Sequence, residues 1–123
     1  MTADAPEHAV YSVSRIIASE RPVAASRVTA AVSSWVEDLG SWARERGYLV
    51  GHIKGLLECE DDRASISGTG GAPTVKTYGQ WDRLEVTTVG LSATAIILGP
   101  AERELCNEAT ERLDSALGAL RID

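Results

Sequence analysis

Hydrophobic and polar positions alternate along residues 48–59, a pattern typical of a β-strand. Successive side chains of an extended segment point to opposite faces of a sheet. We predict that one face belongs to the core, and that its two glycines let a helix carrying Trp35 and Trp42 approach closely. This face consists of Leu49, Gly51, Ile53, Gly55, Leu57 and Cys59. The opposite face consists of Tyr48, Val50, His52, Lys54, Leu56 and Glu58.

Two segments have the apolar repeat of an amphipathic helix. In the first, apolar side chains recur at intervals of three and four residues, which predicts a helix over residues 24–46. Its stripe consists of Val28, Val32, Trp35, Val36, Leu39 and Trp42. The second helix is predicted to begin after Gly99 and Pro100, because acidic residues follow in its first turn and an apolar stripe extends to Leu120.

Residues 5–19 support two interpretations. The acid, proline and glutamate within residues 4–7 resemble a helix start, and Val10, Val13 and Ile17 follow helical spacing. The same segment is rich in β-branched residues and alternates in part, so a short strand is the alternative. We favour the helix, and the choice between helix and strand stays open at this point.

The remaining segments predict further strands. A polar turn and a short extended segment within residues 60–68 predict a hairpin with the preceding strand, and residues 74–78 predict a short edge strand. Residues 83–98 are also extended, but their alternation changes phase. We expect a bulge at Gly90 to reconcile the two halves, and either face of this strand could meet the helices.

These elements together predict an α+β domain that spans residues 1–123. The predicted order is helix, helix, three to four antiparallel strands and helix, with the helices packed on one face of a small sheet. A chain of 123 residues has the length of one ordinary domain. The second face of the sheet is left without a cover.

Charge and composition narrow the classes of function. The net charge of −6 argues against binding to nucleic acid or to an acidic membrane surface. The N-terminal segment lacks the features of a signal peptide, and no apolar run approaches the length of a membrane span, so we expect a cytoplasmic protein. Its two cysteines, Cys59 and Cys106, show no metal-ligand spacing; we predict neither a metal nor a cofactor.

Candidate chemistry centres on His52 and Lys54, which are neighbours on one face of the predicted strand. Together they would place an imidazole and an ammonium group near one anion. The glycine-rich loop at residues 68–71 could add backbone N–H groups, although it lacks the spacing of a phosphate-binding motif. The predicted ligand set is His52, Lys54, Lys76, Gly70 and Gly71. The plainer alternative is that these side chains simply face solvent.

We favour a non-enzymatic accessory or regulatory protein that acts through protein contacts and self-association. The uncovered sheet face is predicted to be apolar, and such a face usually needs a partner, here a second copy or another protein. The predicted contact residues are Val50, Leu56, Val89, Leu91 and an exposed Trp81. The alternative is a domain that binds a small anion or nucleotide-like ligand. An enzyme using His52 with Glu58 or Glu85 ranks third, because no second catalytic group is clearly placed.

Overall fold

The computed structural model describes residues 8–121, in which five strands and two α-helices form the main elements. The elements are β1 (His8–Ala24), α1 (Ala25–Glu45), β2 (Leu49–Cys59), β3 (Asp62–Gly68), β4 (Thr74–Tyr78), β5 (Glu85–Leu98) and α2 (Glu102–Gly118). The α+β class is confirmed. The sheet has five strands rather than three or four, and the first described element is a strand, so the predicted order was wrong.

The sheet order is β1-β5-β2-β3-β4, and every neighbouring pair is antiparallel. Because β1 and β2 are both antiparallel to β5, they run parallel to each other with β5 between them. Helix α1 therefore forms the crossover of a split β-α-β unit, while β2, β3 and β4 follow as hairpin-connected neighbours. The last helix, α2, packs against β1 and α1 on the same side of the sheet.

The helix favoured for residues 5–19 was wrong over the described part of that segment, and the strand alternative holds. Strand β1 pairs with β5 without interruption from His8 to Ala18. Its register then shifts, and pairing resumes at Val23. Every second side chain, among them Ala9 and Tyr11, is buried or half-buried beneath α2. This alternation of buried and exposed residues is the period of a strand rather than of a helix. The helix start predicted at residues 4–7 lies outside the described residues.

The two helices cover one face of the sheet. The predicted stripe of α1 is buried as expected. A Cβ atom added at Gly55 would lie 2.6 Å from Cγ1 of Val32, so the predicted close approach of helix and strand is present there. We also expected Trp35 and Trp42 to fill the space at the glycines, but Val32 and Leu91 are the side chains beside Gly55. Trp35 donates a hydrogen bond of 3.0 Å from Nε1 to the Ala109 carbonyl of α2, and Trp42 packs edge-on against Tyr48.

A bulge in β2 changes which side chains face the helices. Val50 lies opposite Ile97, whereas His52 lies opposite Ile96, so Gly51 is the extra residue. The bulge turns Val50 towards the helices and leaves His52 on the uncovered face. The predictions that Val50 shares a face with His52, and that Gly51 accommodates a helix, were therefore wrong.

The phase change in β5 lies earlier than Gly90. Gly90 pairs regularly with Ile16 on one side and Glu58 on the other, and the irregularity falls between Val86 and Thr88. The shift allows side chains on both sides of it to face the helices. These buried residues include Val86, Val89, Leu91 and Ile97. Val89 and Leu91 were predicted on the uncovered face, and that placement was wrong.

Candidate functional site

The predicted anion site is divided between the two sides of the sheet. His52 and Lys54 are exposed on the uncovered face, which we call the open face, and Lys76 of β4 lies on the same face two strands away. Gly70 lies on the helix side instead, because a Cβ atom added at Gly40 of α1 would be 3.2 Å from its Cα atom. Gly71 is exposed in the same loop. The structure thus keeps the two cations of β2 and β4 on one face but does not bring the glycine loop to them.

The residues suggested for acid–base chemistry also lie apart. His52 and Glu58 occupy the open face of β2 at positions separated by roughly 20 Å, from a rise of about 3.3 Å per residue. Glu58 is instead paired with Arg63, at 3.4 Å, and Glu85 lies at the far end of β5. Within residues 8–121 no three His, Cys, Asp or Glu side chains are grouped to hold a metal ion. The two cysteines are unpaired and half-buried.

Trp81 is fully buried rather than exposed. It begins a short 3₁₀ turn (Trp81–Arg83) that packs against α1, and its Nε1 donates a hydrogen bond of 2.8 Å to the hydroxyl of Thr29. It therefore belongs to the core, and the prediction of an exposed contact residue was wrong. Its neighbour Tyr78 is the exposed aromatic side chain at this edge of the sheet.

A polar cluster at the end of α1 was missed by sequence reasoning. The hydroxyl of Tyr48 donates to Oε1 of Glu104 at 3.0 Å, and Arg46 pairs with the same carboxylate at 3.3 Å. The hydrogen bond to Glu104, with partial burial and the negative charge, raises the pKa of Tyr48, while Arg46 acts in the opposite direction. Tyr48 therefore stays neutral and donates a hydrogen bond that links the start of β2 to α2. This role is structural.

A pocket of about 260 Å³ lies beside the register shift of β1, between that strand, α1 and α2. The Arg15–Asp114 ion pair forms its charged part. Its apolar lining includes Ile17, Val23, Val28, Val86, Val89 and Leu117. No local sequence signal indicates this pocket, because it depends on the irregular pairing of β1 with β5.

The open face is mostly polar and carries small hydroxyl side chains through its centre. Their positions follow from the register, and they are Ser12, Ser14, Ser65, Ser67, Thr74, Ser92 and Thr94. Leu56 is half-buried among them and is the single predicted contact residue that the structure places on this face. The broad apolar surface expected there is therefore absent from the described part of the face.

A group of apolar side chains lies at one end of the open face, apart from the exposed Ile16 further along β1. Leu49 is 66% exposed and lies opposite Leu98; Val10 is 43% exposed and lies opposite Ile96. We call these four residues, Val10, Leu49, Ile96 and Leu98, the apolar corner. Sequence reasoning missed it, because it forms only when β1 and β2 flank β5.

Comparison with known proteins leaves the chain without a family. No protein-family model matches it, and no curated protein matches it. Two solved structures are partial matches to this chain: the Zn(II)-bound YjiA GTPase from E. coli and a Zn(II)-bound triple mutant of the YjiA GTPase. Each is 16% identical with a TM-score of 0.44, over 92% of this chain and 30% of the other. The chain spans less than a third of those proteins, and this likeness assigns it no activity.

No helix within the described residues is both long and apolar enough to cross a bilayer.

Proposed function

We propose that this protein is a small accessory or regulatory protein that acts through protein contacts and self-association. The apolar corner of the open face serves as its contact surface. The observation that supports this proposal is the exposure of Leu49, which is 66% accessible beside three further apolar side chains. Contiguous apolar surface of this kind is a common sign of a protein interaction site.

The surroundings of the apolar corner fit a contact surface. The corner itself has no charged side chain, and the neighbouring positions of the open face carry His8, His52 and hydroxyl residues. An apolar centre with a polar rim is the usual composition of a protein interface. In a two-fold assembly each corner would meet its own equivalent. The four corner side chains bring no carboxylate of their own to that contact; the Glu102 carboxylate lies beside the corner, where it accepts from the Val10 N–H.

Replacing Leu49 with lysine tests the proposal. We expect at least about 30-fold weaker self-association, because Leu49 would be the central contact residue and the loss of such a hot-spot residue costs about 2 kcal/mol or more. The fold should be unaffected, since the Leu49 side chain is largely exposed. Mass measurement by light scattering across a dilution series reads out the association. Val75→Lys is the matched control, because Val75 is 42% exposed on a different strand and on the helix side.

An unchanged dissociation constant in the folded Leu49→Lys variant would remove the apolar corner as the self-association surface. The same would follow if Val75→Lys weakened association as much as Leu49→Lys.

The pocket beside β1 supports a second candidate function, the binding of a small anion that carries an apolar tail. Its volume of about 260 Å³ is slightly below the range of about 300–1,000 Å³ usual for ligand sites, so the ligand would be small. Arg15 has five donors and can bind a ligand carboxylate beside Asp114. This anion site uses Arg15 rather than the residues predicted from the sequence.

Thermal unfolding in the presence of hexanoate or hexanol tests this second candidate. Ligand binding to the native state raises the melting temperature, so hexanoate should stabilise the protein more than hexanol does. Arg15→Met should abolish the difference between the two ligands while leaving the apolar lining in place. Equal effects of hexanoate and hexanol on the wild-type protein would contradict an anion site.

A further inference from the structure

The two edges of the sheet differ in how well they are protected from pairing with another chain. The β4 edge has five residues, carries Lys76 and lies between Pro73 and Gly79. The β1 edge pairs regularly over residues 8–18 and contains neither lysine nor proline there; its one arginine is ion-paired within the chain. Short edge strands, lysine and proline usually prevent an edge strand from pairing with another chain. The protein therefore protects one edge and leaves the other available.

The orientation of the free backbone groups on β1 follows from one contact. The N–H of Val10 donates to Oε2 of Glu102 at 3.4 Å, so it points away from β5. Backbone groups of alternate strand residues point in the same direction, so the same orientation applies at every second residue. These positions are Ser12, Ser14, Ile16 and Ala18. Among the described residues, Glu102 makes the one side-chain hydrogen bond to this row of amides.

The side chains select one register for antiparallel pairing of this edge with itself. Pairing centred on Val13 places Val10 opposite Ile16 of the second copy, and Ser12 opposite Ser14 of the second copy. Val13 then lies opposite its own equivalent on the helix side. Centring on Ser12 or Ser14 would instead place Ile16, which is 73% exposed, opposite a histidine or a serine. Apolar side chains that face each other across strands stabilise a sheet, so the Val13 register is favoured.

We propose that β1 pairs antiparallel with β1 of a second copy, centred on Val13, and joins two five-stranded sheets into one. A second copy suits this edge because the open-face side chains of residues 8–18 include no carboxylate that self-pairing would bring together. In the dimer, the Val10 N–H would donate to a backbone carbonyl of the second copy instead of forming its long hydrogen bond to Glu102. This surface shares Val10 with the apolar corner but is otherwise made by the backbone edge of β1, so the inference goes beyond the proposed function.

A cysteine at the two-fold axis tests the register. In an antiparallel sheet, opposed residues that do not exchange hydrogen bonds have Cα atoms about 4.5 Å apart, which is within the range for a disulfide. Val13→Cys, in a chain whose native cysteines are replaced by serine, should form a disulfide-linked dimer under mild oxidation. Ile17→Cys is the matched control on the same face, and it should remain monomeric in denaturing electrophoresis. Equal cross-linking of the two variants, or none at Val13→Cys, would overturn the proposed pairing.

Ile16→Lys tests the same surface without a cross-link. The two-fold axis places the substituted residue in two equivalent contacts, so we expect at least about tenfold weaker dimerisation. The fold should be retained because Ile16 is exposed. Leu49→Lys should leave this edge pairing intact. If Leu49→Lys weakens association and Ile16→Lys does not, the proposed function stands and the edge pairing is wrong. The opposite result leaves the edge pairing standing and removes the apolar corner, and a wild-type monomer at millimolar concentration overturns the edge pairing.

Discussion

Replacing Trp81 with alanine is expected to lower the free energy of unfolding by about 3–5 kcal/mol. The side chain is fully buried, and its Nε1 donates to Thr29, whose hydroxyl donates in turn to the Ala25 carbonyl. Truncation removes a large apolar volume and leaves a cavity between the 3₁₀ turn and α1. Small domains are stable by about 5–15 kcal/mol, so this loss is a large fraction of the total. Urea unfolding followed by circular dichroism measures it.

Two control variants separate the contributions to this effect. Thr29→Val keeps most of the side-chain volume but removes the acceptor of the indole, and it should cost about 1–3 kcal/mol. Tyr78→Ala removes an exposed aromatic residue three positions earlier and should change stability by about 0.5 kcal/mol or less. If Trp81→Ala behaved like Tyr78→Ala, Trp81 would not occupy the core.

The misplacement of Trp81 shows which information the local sequence lacks. The glycine at position 79 and the acid at position 82 make its surroundings typical of an exposed turn, and the turn is indeed present. What buries the indole is a contact with Thr29, 52 residues away in the chain. The sequence around Trp81 contains no pattern from which a contact with Thr29 could be predicted.

The helices were predictable because their signal is local. The apolar stripe of α1 repeats over several turns, and the proline before α2 and the acids in its first turn mark its start. Strand β1 was harder to predict, since Val10, Val13 and Ile17 match a helical spacing by chance while the alternate residues carry the strand pattern. Its identity as a strand depends on pairing with β5, at the opposite end of the chain.

The bulges explain most of the errors in the predicted contact surface. A shift of one residue moves every following side chain to the other face of a sheet. Alternation shows that a phase change exists in β5, but not which half faces the helices. The alternation along β2 does not indicate the bulge at Gly51. Leu56 and Lys54 were placed on the correct face because both follow that bulge on β2. No face was predicted for Lys76 of β4.

The glycine loop was assigned to the wrong side for a related reason. Its residues fit either a mobile ligand loop or a close packing contact, and the sequence cannot distinguish these. The packing of Gly70 against Gly40 decides in favour of the contact, which draws the loop over α1 and away from Lys54. The apolar corner likewise depends on the order of β1, β5 and β2 in the sheet, which no single segment encodes.

Replacing Leu91 with lysine is expected to unfold the protein rather than dissociate an assembly. The side chain is 2% exposed, beneath the helices and opposite Leu57 of β2. A buried lysine without a partner costs several kcal/mol beyond the lost packing of the leucine, and this approaches the whole stability of a small domain. We expect loss of the cooperative thermal transition, or a strongly reduced melting temperature.

Leu56→Lys is the matched variant, because the strand pair that places Leu57 opposite Leu91 places Leu56 opposite Ser92, on the other face. Leu56 is half-buried and its substituted ammonium can reach water, so the fold should persist at a cost of about 1 kcal/mol. Circular dichroism reports the fold of both variants, and light scattering reports their mass. A folded Leu91→Lys variant of reduced mass would place Leu91 on the open face and return the contact surface to the centre of the sheet. Loss of folding in Leu91→Lys alone would establish that the helices cover this face of β5 and that Leu91 is a core residue rather than a contact residue.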